Sequence, residues 1–271
     1  MPVKSAGEIL AGEITSAVDA LKTCITPIFD VNERNEAELL GSAVLIELAG
    51  SIFLCTAKHV IDGNAKSTLY IDGLSKLETL TGDFYSSAEH DMAVLKLTTA
   101  QIKALQKYVA LPSDKIANQI QAPACKYAEF VGFPETKNRK MYRRNEIKRH
   151  IQSIGGIVIE ITSAKVRVSF KKKQNIDAKS RKRVTAPDPH GMSGGAMFGA
   201  SVNVATLRGN PDPQLIGIAT DWQYSTKQVF GSNIAIAIAI IRDAYRIVIP
   251  TRLNPPNIKS GFALTCTSSP N

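Results

Sequence analysis

The sequence predicts a mainly β protein of short antiparallel strands headed by an amphipathic helix, and three observations predict it. From about Thr26 the chain runs in short β-branched and apolar stretches (ITPIFDV, GSAVLIELAG, SIFLCTA, STLYIDG, DMAVLKL) parted by Gly, Asp and Asn. Ahead of them, residues 6–21 place Ile9, Leu10, Ile14, Val18 and Leu21 at helical spacing, which gives a helix one apolar face. The longest apolar stretch, Ile234 to Ile241, is a strand-length or short-helix piece, far below the ~20 residues that cross a bilayer. No membrane-spanning helix is expected.

Each element follows in order. The N-terminal helix docks its apolar face on the main body. In AELLGSAVLIELAGSIFLCTAKHV two apolar runs flank Ala49-Gly50, the pattern of a hairpin. Between Thr99 and Ala122, helix formers (AQIKALQKYVAL) lead through Pro112-Ser113-Asp114 into polar sequence, which reads as a linker between two units. Strand-like runs resume with YAEFVGF, GGIVIEIT, KVRVSF, GAMFG and LIGIAT, and end near Ile249. Many short strands of this kind suit a barrel or a sandwich. Residues 250–271 hold Pro255-Pro256 and little periodicity, and read as an extended tail.

With 271 residues, 44% of them hydrophobic, the chain can bury one large domain or two small ones. Cys24, Cys55, Cys125 and Cys266 show no Cys-x-x-Cys spacing, which argues against a zinc site and a disulfide framework. Cys55, among Phe53, Leu54 and Thr56, reads as a buried small hydrophobe. Neither a metal nor a cofactor is expected. The first residues lack a continuous apolar core and carry Glu8, Glu13 and Asp19, which a signal peptide would avoid, so a cytoplasmic location is expected. The net charge of +9 is local: residues 137–183 carry +13 and the rest of the chain −4.

Three stretches carry chemistry. Thr56-Ala57-Lys58-His59-Val60 sets a histidine directly after an apolar strand; His90-Asp91-Met92-Ala93-Val94 sets an acid at the opening of another; Gly191-Met192-Ser193-Gly194-Gly195 sets a serine among glycines. A serine hydroxyl needs a neutral imidazole within hydrogen-bond reach to take its proton. That imidazole needs a buried carboxylate to hold its tautomer, and Asp91, ahead of an apolar run, suits the part. The glycines let the amides of Gly191 and Ser193 converge on one spot, where an oxyanion is stabilised. Any one stretch alone reads as an ordinary turn or a structural histidine. His90 and His190 lie beside the acid and the serine without matching a base position, and Asp83 or Glu89 replaces Asp91 only in a different strand register.

In this order the three stretches resemble the trypsin-like (chymotrypsin-fold) serine peptidases, over residues 27–249. The resemblance implies two antiparallel six-stranded β-barrels, here with the N-terminal helix and a helix near the C-terminus. It divides the chain into a helical extension (1–26), a first barrel with His59 and Asp91 (27–110), a second barrel with Ser193 and the basic insertion (111–249), and a tail (250–271). It implies a serine endopeptidase acting on a protein or peptide through an acyl-enzyme. In it Ser193 is the nucleophile, His59 the general base, Asp91 the orienting acid, and the Gly191 and Ser193 amides the oxyanion hole. Pro187, six residues before the serine, falls at the base of the specificity pocket, and Ala219 and Thr220 in GIATDW line the cleft, where substrate adds as a β-strand.

Departures narrow the type. Met192 stands where secreted members carry the aspartate that receives the activated N-terminus, so the chain looks like the branch made without zymogen activation. No acid stands at Pro187, which weakens a preference for Arg or Lys, although Asp188 and Asp221 are close enough in sequence to reopen it. The basic clusters KNRKMYRRNEIKRH and KKKQNIDAKSRKRV read as solvated loops, or as a surface for an acidic partner or nucleic acid. A catalytically silent module that binds such a partner through residues 137–183 is the rival reading, with few aromatics there for base stacking.

Overall fold

In the computed structural model, which describes residues 6–31, 37–62, 68–74, 76–118, 121–138, 149–176, 182–201 and 212–253, the apolar runs become strands of two large sheets. The first holds β1 (Ile25–Val31), β2 (Ala37–Leu48), β3 (Ser51–Thr56), β4 (Tyr70–Asp72), β5 (Leu77–Thr79), β6 (Tyr85–Ser87) and β7 (Met92–Lys96), in the order β5-β4-β1-β2-β3-β7-β6. The second is a closed barrel of β8 (Cys125–Gly132), β9 (Gln152–Ile161), β10 (Lys165–Ser169), β13 (Ala196–Ser201), β14 (Gln214–Gln223) and β15 (Gln228–Asn233). A two-stranded ribbon, β11 (Asn175–Ile176) with β12 (Arg183–Val184), forms a separate sheet beside β9. Among the described residues no helix is long and apolar enough to cross a membrane.

The middles of the central strands, such as Ala43–Ile46 of β2 and Met92–Leu95 of β7, are apolar at successive positions because each separates two cores. Val44, Ile46 and Leu48 of β2 face a shared core, while Ala43 and Leu45 face the interior of the first sheet. Met92 and Val94 of β7 divide from Ala93 and Leu95 in the same way. In the barrel, Ala196 and Phe198 of β13 point to the shared core and Met197 inward. Period-two alternation thus sorts one apolar run between two compartments. The hairpin falls at its expected turn: Ala49 and Gly50 both have positive φ, 48° and 71°, and Leu48 pairs with Ser51.

The expectation of two six-stranded barrels needs correction. The first sheet has seven strands, and its edge strands β5 and β6 do not pair with each other among the described residues. Each edge strand has only three residues. The interior they leave is filled from α2 (Lys58–Ile61), whose Val60 and Ile61 are buried, and by Leu105 after α3 (Thr99–Ala104).

Helices complete the shared core. The run IAIAIAII has a strand-like alternation, yet it forms α6 (Ile234–Tyr245), because Asn233 caps it by accepting from Ala235 N at 2.9 Å. A helix enclosed between two sheets is apolar all round, and Ile234, Ile236, Ile238, Ile240 and Ile241 are all buried. α4 (Gln121–Ala124) and α5 (Glu135–Asn138) are single turns. The linker joins both sheets through parallel bridges, Ile46 with Leu111 and Ile116 with Leu215. Most of the tail, residues 254–271, and residues 139–148 and 177–181 of the basic clusters lie outside the described residues.

Two buried carboxylates join elements distant in sequence. Asp72 of β4, fully buried, meets Lys107 Nζ at 2.7 Å and Arg149 Nε at 2.5 Å, and accepts from Tyr108 OH at 2.8 Å. One residue of the basic cluster is therefore spent on tying the approach to β9 to the first sheet. Glu129 of β8 instead accepts from the hydroxyls of Thr15, in α1 (Ala6–Asp19), and Ser153. Burial among neutral partners pushes the Glu129 carboxyl up from its ordinary range. The folded state therefore favours the protonated acid. Its contribution to stability is full below the unfolded value of about 4.5 and is lost as pH rises toward the raised folded value. Glu129→Gln keeps the hydrogen-bonding shape without the charge. Urea unfolding midpoints measured from about pH 4 to 8 should fall less steeply in this variant than in the native chain.

Candidate active site

The end of β3 delivers His59. Ala57 leaves the strand in an extended conformation (φ −72°, ψ 141°), and the single turn of α2 begins at the next residue. Asp91, in the tight turn before β7, holds that turn at three points. Its carbonyl accepts from Lys58 N at 3.1 Å, its Oδ1 from His59 N at 2.9 Å, and its Oδ2 lies 2.7 Å from His59 Nδ1. Asp91 has φ 47°, a left-handed conformation sustained by these bonds and by Asp91 N donating to Ala88 O at 3.4 Å. A carboxylate on Nδ1 fixes the neutral imidazole with its proton there and a lone pair on Nε2. The hydrogen bond to Asp91 is the main cause raising the His59 pKa above 6.5, with smaller contributions from the charges of Asp91, Asp62 and Asp221 against an opposing effect of burial.

The acid is not buried as the sequence reading expected. The Asp91 side chain is 34% exposed and that of His59 48%. Burial comes from the apolar Met92-Ala93-Val94 run, but the turn places Asp91 just outside it, at the mouth of the sheet.

The serine loop comes from the other sheet. Gly191 and Gly194 each have φ 83°, and a Cβ on Gly194 would lie 1.9 Å from Ser42 O and 2.2 Å from Thr56 Oγ1. Only glycine fits there. Gly194 N donates to Ala219 O at 2.7 Å and Ala219 N to Gly195 O at 2.8 Å, which clamp the loop to β14. Met192 is fully buried in the barrel core, so the loop is anchored by an apolar side chain where the resemblance would place an activation aspartate.

The carbonyls that precede the Gly191 and Ser193 amides are both engaged. His190 O accepts from Glu135 N at 2.7 Å, and Met192 O from Gly195 N at 3.0 Å. In a trans peptide the N–H points opposite to the C=O. The Gly191 and Ser193 amides are thereby turned away from those acceptors, and among the described residues neither donates to a backbone carbonyl.

The two loops meet at a seam. A Cβ on Gly41 would lie 2.7 Å from Val60 Cγ2 and 2.9 Å from Ser193 O, so the absent side chain lets the histidine turn and the serine loop share one wall. Ser193 Oγ donates to Thr220 O at 3.2 Å; among the described residues it makes no hydrogen bond to His59. Thr220 is followed by Asp221, whose charge reaches His59. His59, Asp91, Ser193, Gly191 and Thr220 are thus gathered around one seam. Ala219 lies beside it but is 2% exposed, with its backbone committed to the glycines. Pro187 is half-buried next to Asp188, which pairs with Lys172 at 2.6 Å. His90 turns away, with its ring nitrogen 3.1 Å from Ser87 Oγ.

Sequence reasoning missed Ser42. It lies on β2 of the first sheet, fully buried, and its polar groups go to the serine loop and its supports. Ser42 N donates to Ser193 O at 2.7 Å, Oγ donates to Gly191 O at 3.1 Å and accepts from Phe133 N at 2.9 Å, and its carbonyl accepts from Thr56 Oγ1 at 2.8 Å. The available signal was a polar residue beside a glycine within an apolar strand. Ser42→Ala strands Gly191 O and Phe133 N in a buried seam, and should cost about 2 kcal/mol of unfolding free energy by chemical denaturation.

No family model matches the chain, and no curated protein matches it in sequence. Among solved structures it is similar to the Rv3671c protease from M. tuberculosis in its active form, at 14% sequence identity and a TM-score of 0.49, over 89% of this chain and 85% of that one.

Proposed function

We propose that the chain is a trypsin-like serine endopeptidase of two chymotrypsin-like units, in which the seven-stranded sheet is a first barrel left open at β5 and β6. The unit at 27–110 supplies His59 and Asp91, the unit at 111–249 supplies Ser193, and 1–26 and 250–271 flank them. The observation that carries this reading is the bidentate hold of Asp91 on His59, at 2.9 and 2.7 Å, across the seam from a glycine-flanked serine. An acid that grips both the backbone and the ring of one histidine fixes that ring's position as well as its tautomer.

The chemistry follows from these groups. Ser193 Oγ rotates from Thr220 O toward Nε2 of His59, gives up its proton there and attacks the carbonyl carbon of the substrate peptide. The carbonyl oxygen becomes an oxyanion between the Gly191 and Ser193 amides, which among the described residues donate to no backbone carbonyl. Imidazolium, stabilised by Asp91, returns the proton to the leaving amine as the C–N bond breaks, and an acyl-serine remains. Water, deprotonated by the same imidazole, then releases the acid and restores the hydroxyl. Substrate lies along the edge of β14 beyond Ala219 as an added strand.

A fluorophosphonate should label the native chain on Ser193, and Ser193→Ala should abolish labelling; a folded, unlabelled native protein rules out the mechanism. The base must be neutral to act, and its pKa is raised, so the acid limb of the labelling rate should lie above pH 6.5. Asp91→Asn removes the main cause of that shift. The limb should move to lower pH and the rate at its plateau should fall about ten-thousand-fold.

A further inference from the structure

The acids that border the seam are nearly all engaged. Asp91 holds His59, Asp62 pairs with Lys58, and Asp188 pairs with Lys172 at 2.6 Å. That last pair withdraws the acid nearest Pro187 from any recognition of a cationic side chain. Asp221 is the exception. It is exposed at the end of β14, accepts through Oδ1 only from the next backbone amide, Trp222 N at 2.7 Å, and forms no ion pair among the described residues. In a chain with 33 basic and 24 acidic residues, an unpaired carboxylate at this place is notable.

Strand geometry aims it. β14 slips register between Ala219 and Asp221, so Thr220 is the extra residue of a bulge, a device that re-aims side chains at a sheet edge. Trp222 points to the opposite face from Asp221. There its ring stands edge-on to Phe170 at 5.9 Å, His190 at 5.8 Å and Tyr224 at 5.9 Å, so that side is filled by the protein's own aromatics. The Asp221 carboxylate is exposed, and its charge is felt at His59.

We infer that Asp221 is a specificity residue, selecting peptides with a lysine or arginine side chain among the residues preceding the scissile bond. The inference rests on the serine-peptidase reading for the location of that bond. A peptide strand laid on β14 passes Thr220, whose carbonyl holds Ser193 Oγ, and then Asp221, so the side chain next to Asp221 lies only a residue or two from the reacting carbonyl. One carboxylate a few ångströms from a cationic group in a partly solvated cleft gives about tenfold in affinity. The net charge of +9 repels cationic peptides as a whole, so a lysine preference has to come from a local acid.

The test uses Ser193→Ala, which binds without turning over, and fluorescent alanine decapeptides carrying a single lysine or norleucine at each position in turn. At low salt, fluorescence anisotropy should show one lysine register binding about tenfold tighter than its norleucine counterpart. That ratio should fall to near one when Asp221→Asn is added, and should turn to favour glutamate over norleucine when Asp221→Lys is added instead. Lysine peptides that bind no better than norleucine peptides, or a lysine preference that survives Asp221→Asn, overturn the inference. Because this measurement needs no catalysis, its failure is separable from failure of fluorophosphonate labelling, which bears on the peptidase reading alone.

Discussion

Ser42 belongs to the first sheet by its place on β2 and to the barrel by its hydrogen bonds, and the arrangement at the seam depends on that double membership. Its amide, hydroxyl and carbonyl reach Ser193, Gly191, Phe133 and Thr56, at 2.7 to 3.1 Å. A fully buried residue leaves those groups no water to fall back on, so the bonds form together or the seam opens. Gly41 and Gly194 follow from the same constraint. Backbone from one sheet approaches backbone from the other so closely that a Cβ at either would overlap its neighbours. The close approach makes the glycines necessary, and Ser42 makes the close approach stable.

Three acids differ according to their surroundings. Asp72 has two cationic partners and a phenol, and through them it ties β4, the linker and the approach to β9. Glu129 accepts from two hydroxyls, and its burial favours the protonated acid against the opposing pull of those hydrogen bonds, which leaves the docking of α1 dependent on pH. Asp91 is a third exposed, which spares it the cost of full burial, and it still raises His59 through a direct hydrogen bond. The three environments keep one acid fixed as a strut, one sensitive to protonation and one available to a neighbouring imidazole.

What could be read from the sequence was whatever depends on local chemistry. The hairpin turn at Ala49-Gly50, the apolar strand after Asp91 and the glycines about Ser193 each require particular residues at particular places, so they are visible in one dimension. Features that depend on contacts across more than ninety residues were not. Ser42 looks like a lone polar residue in an apolar run until Phe133 and Gly191 are placed beside it. The exposure of Asp91 was hidden for the same reason: an apolar run shows that the strand is buried, not where its first turn emerges. IAIAIAII misleads by its alternation because a helix buried on every side has no polar face to betray its period.

The glycine loop shows how local and distant constraints combine. Glycine at 191 and 194 permits many backbone conformations, and permission alone would leave the loop mobile. The carbonyls remove that freedom. With His190 O on Glu135 N, Gly191 O on Ser42 Oγ, Met192 O on Gly195 N and Ser193 O on Ser42 N, four successive carbonyls are held by named donors. Met192, sealed in the barrel core, holds the middle of the loop without any charged partner. The loop's geometry is therefore coupled to the folding of the barrel core and to the Ser42 seam.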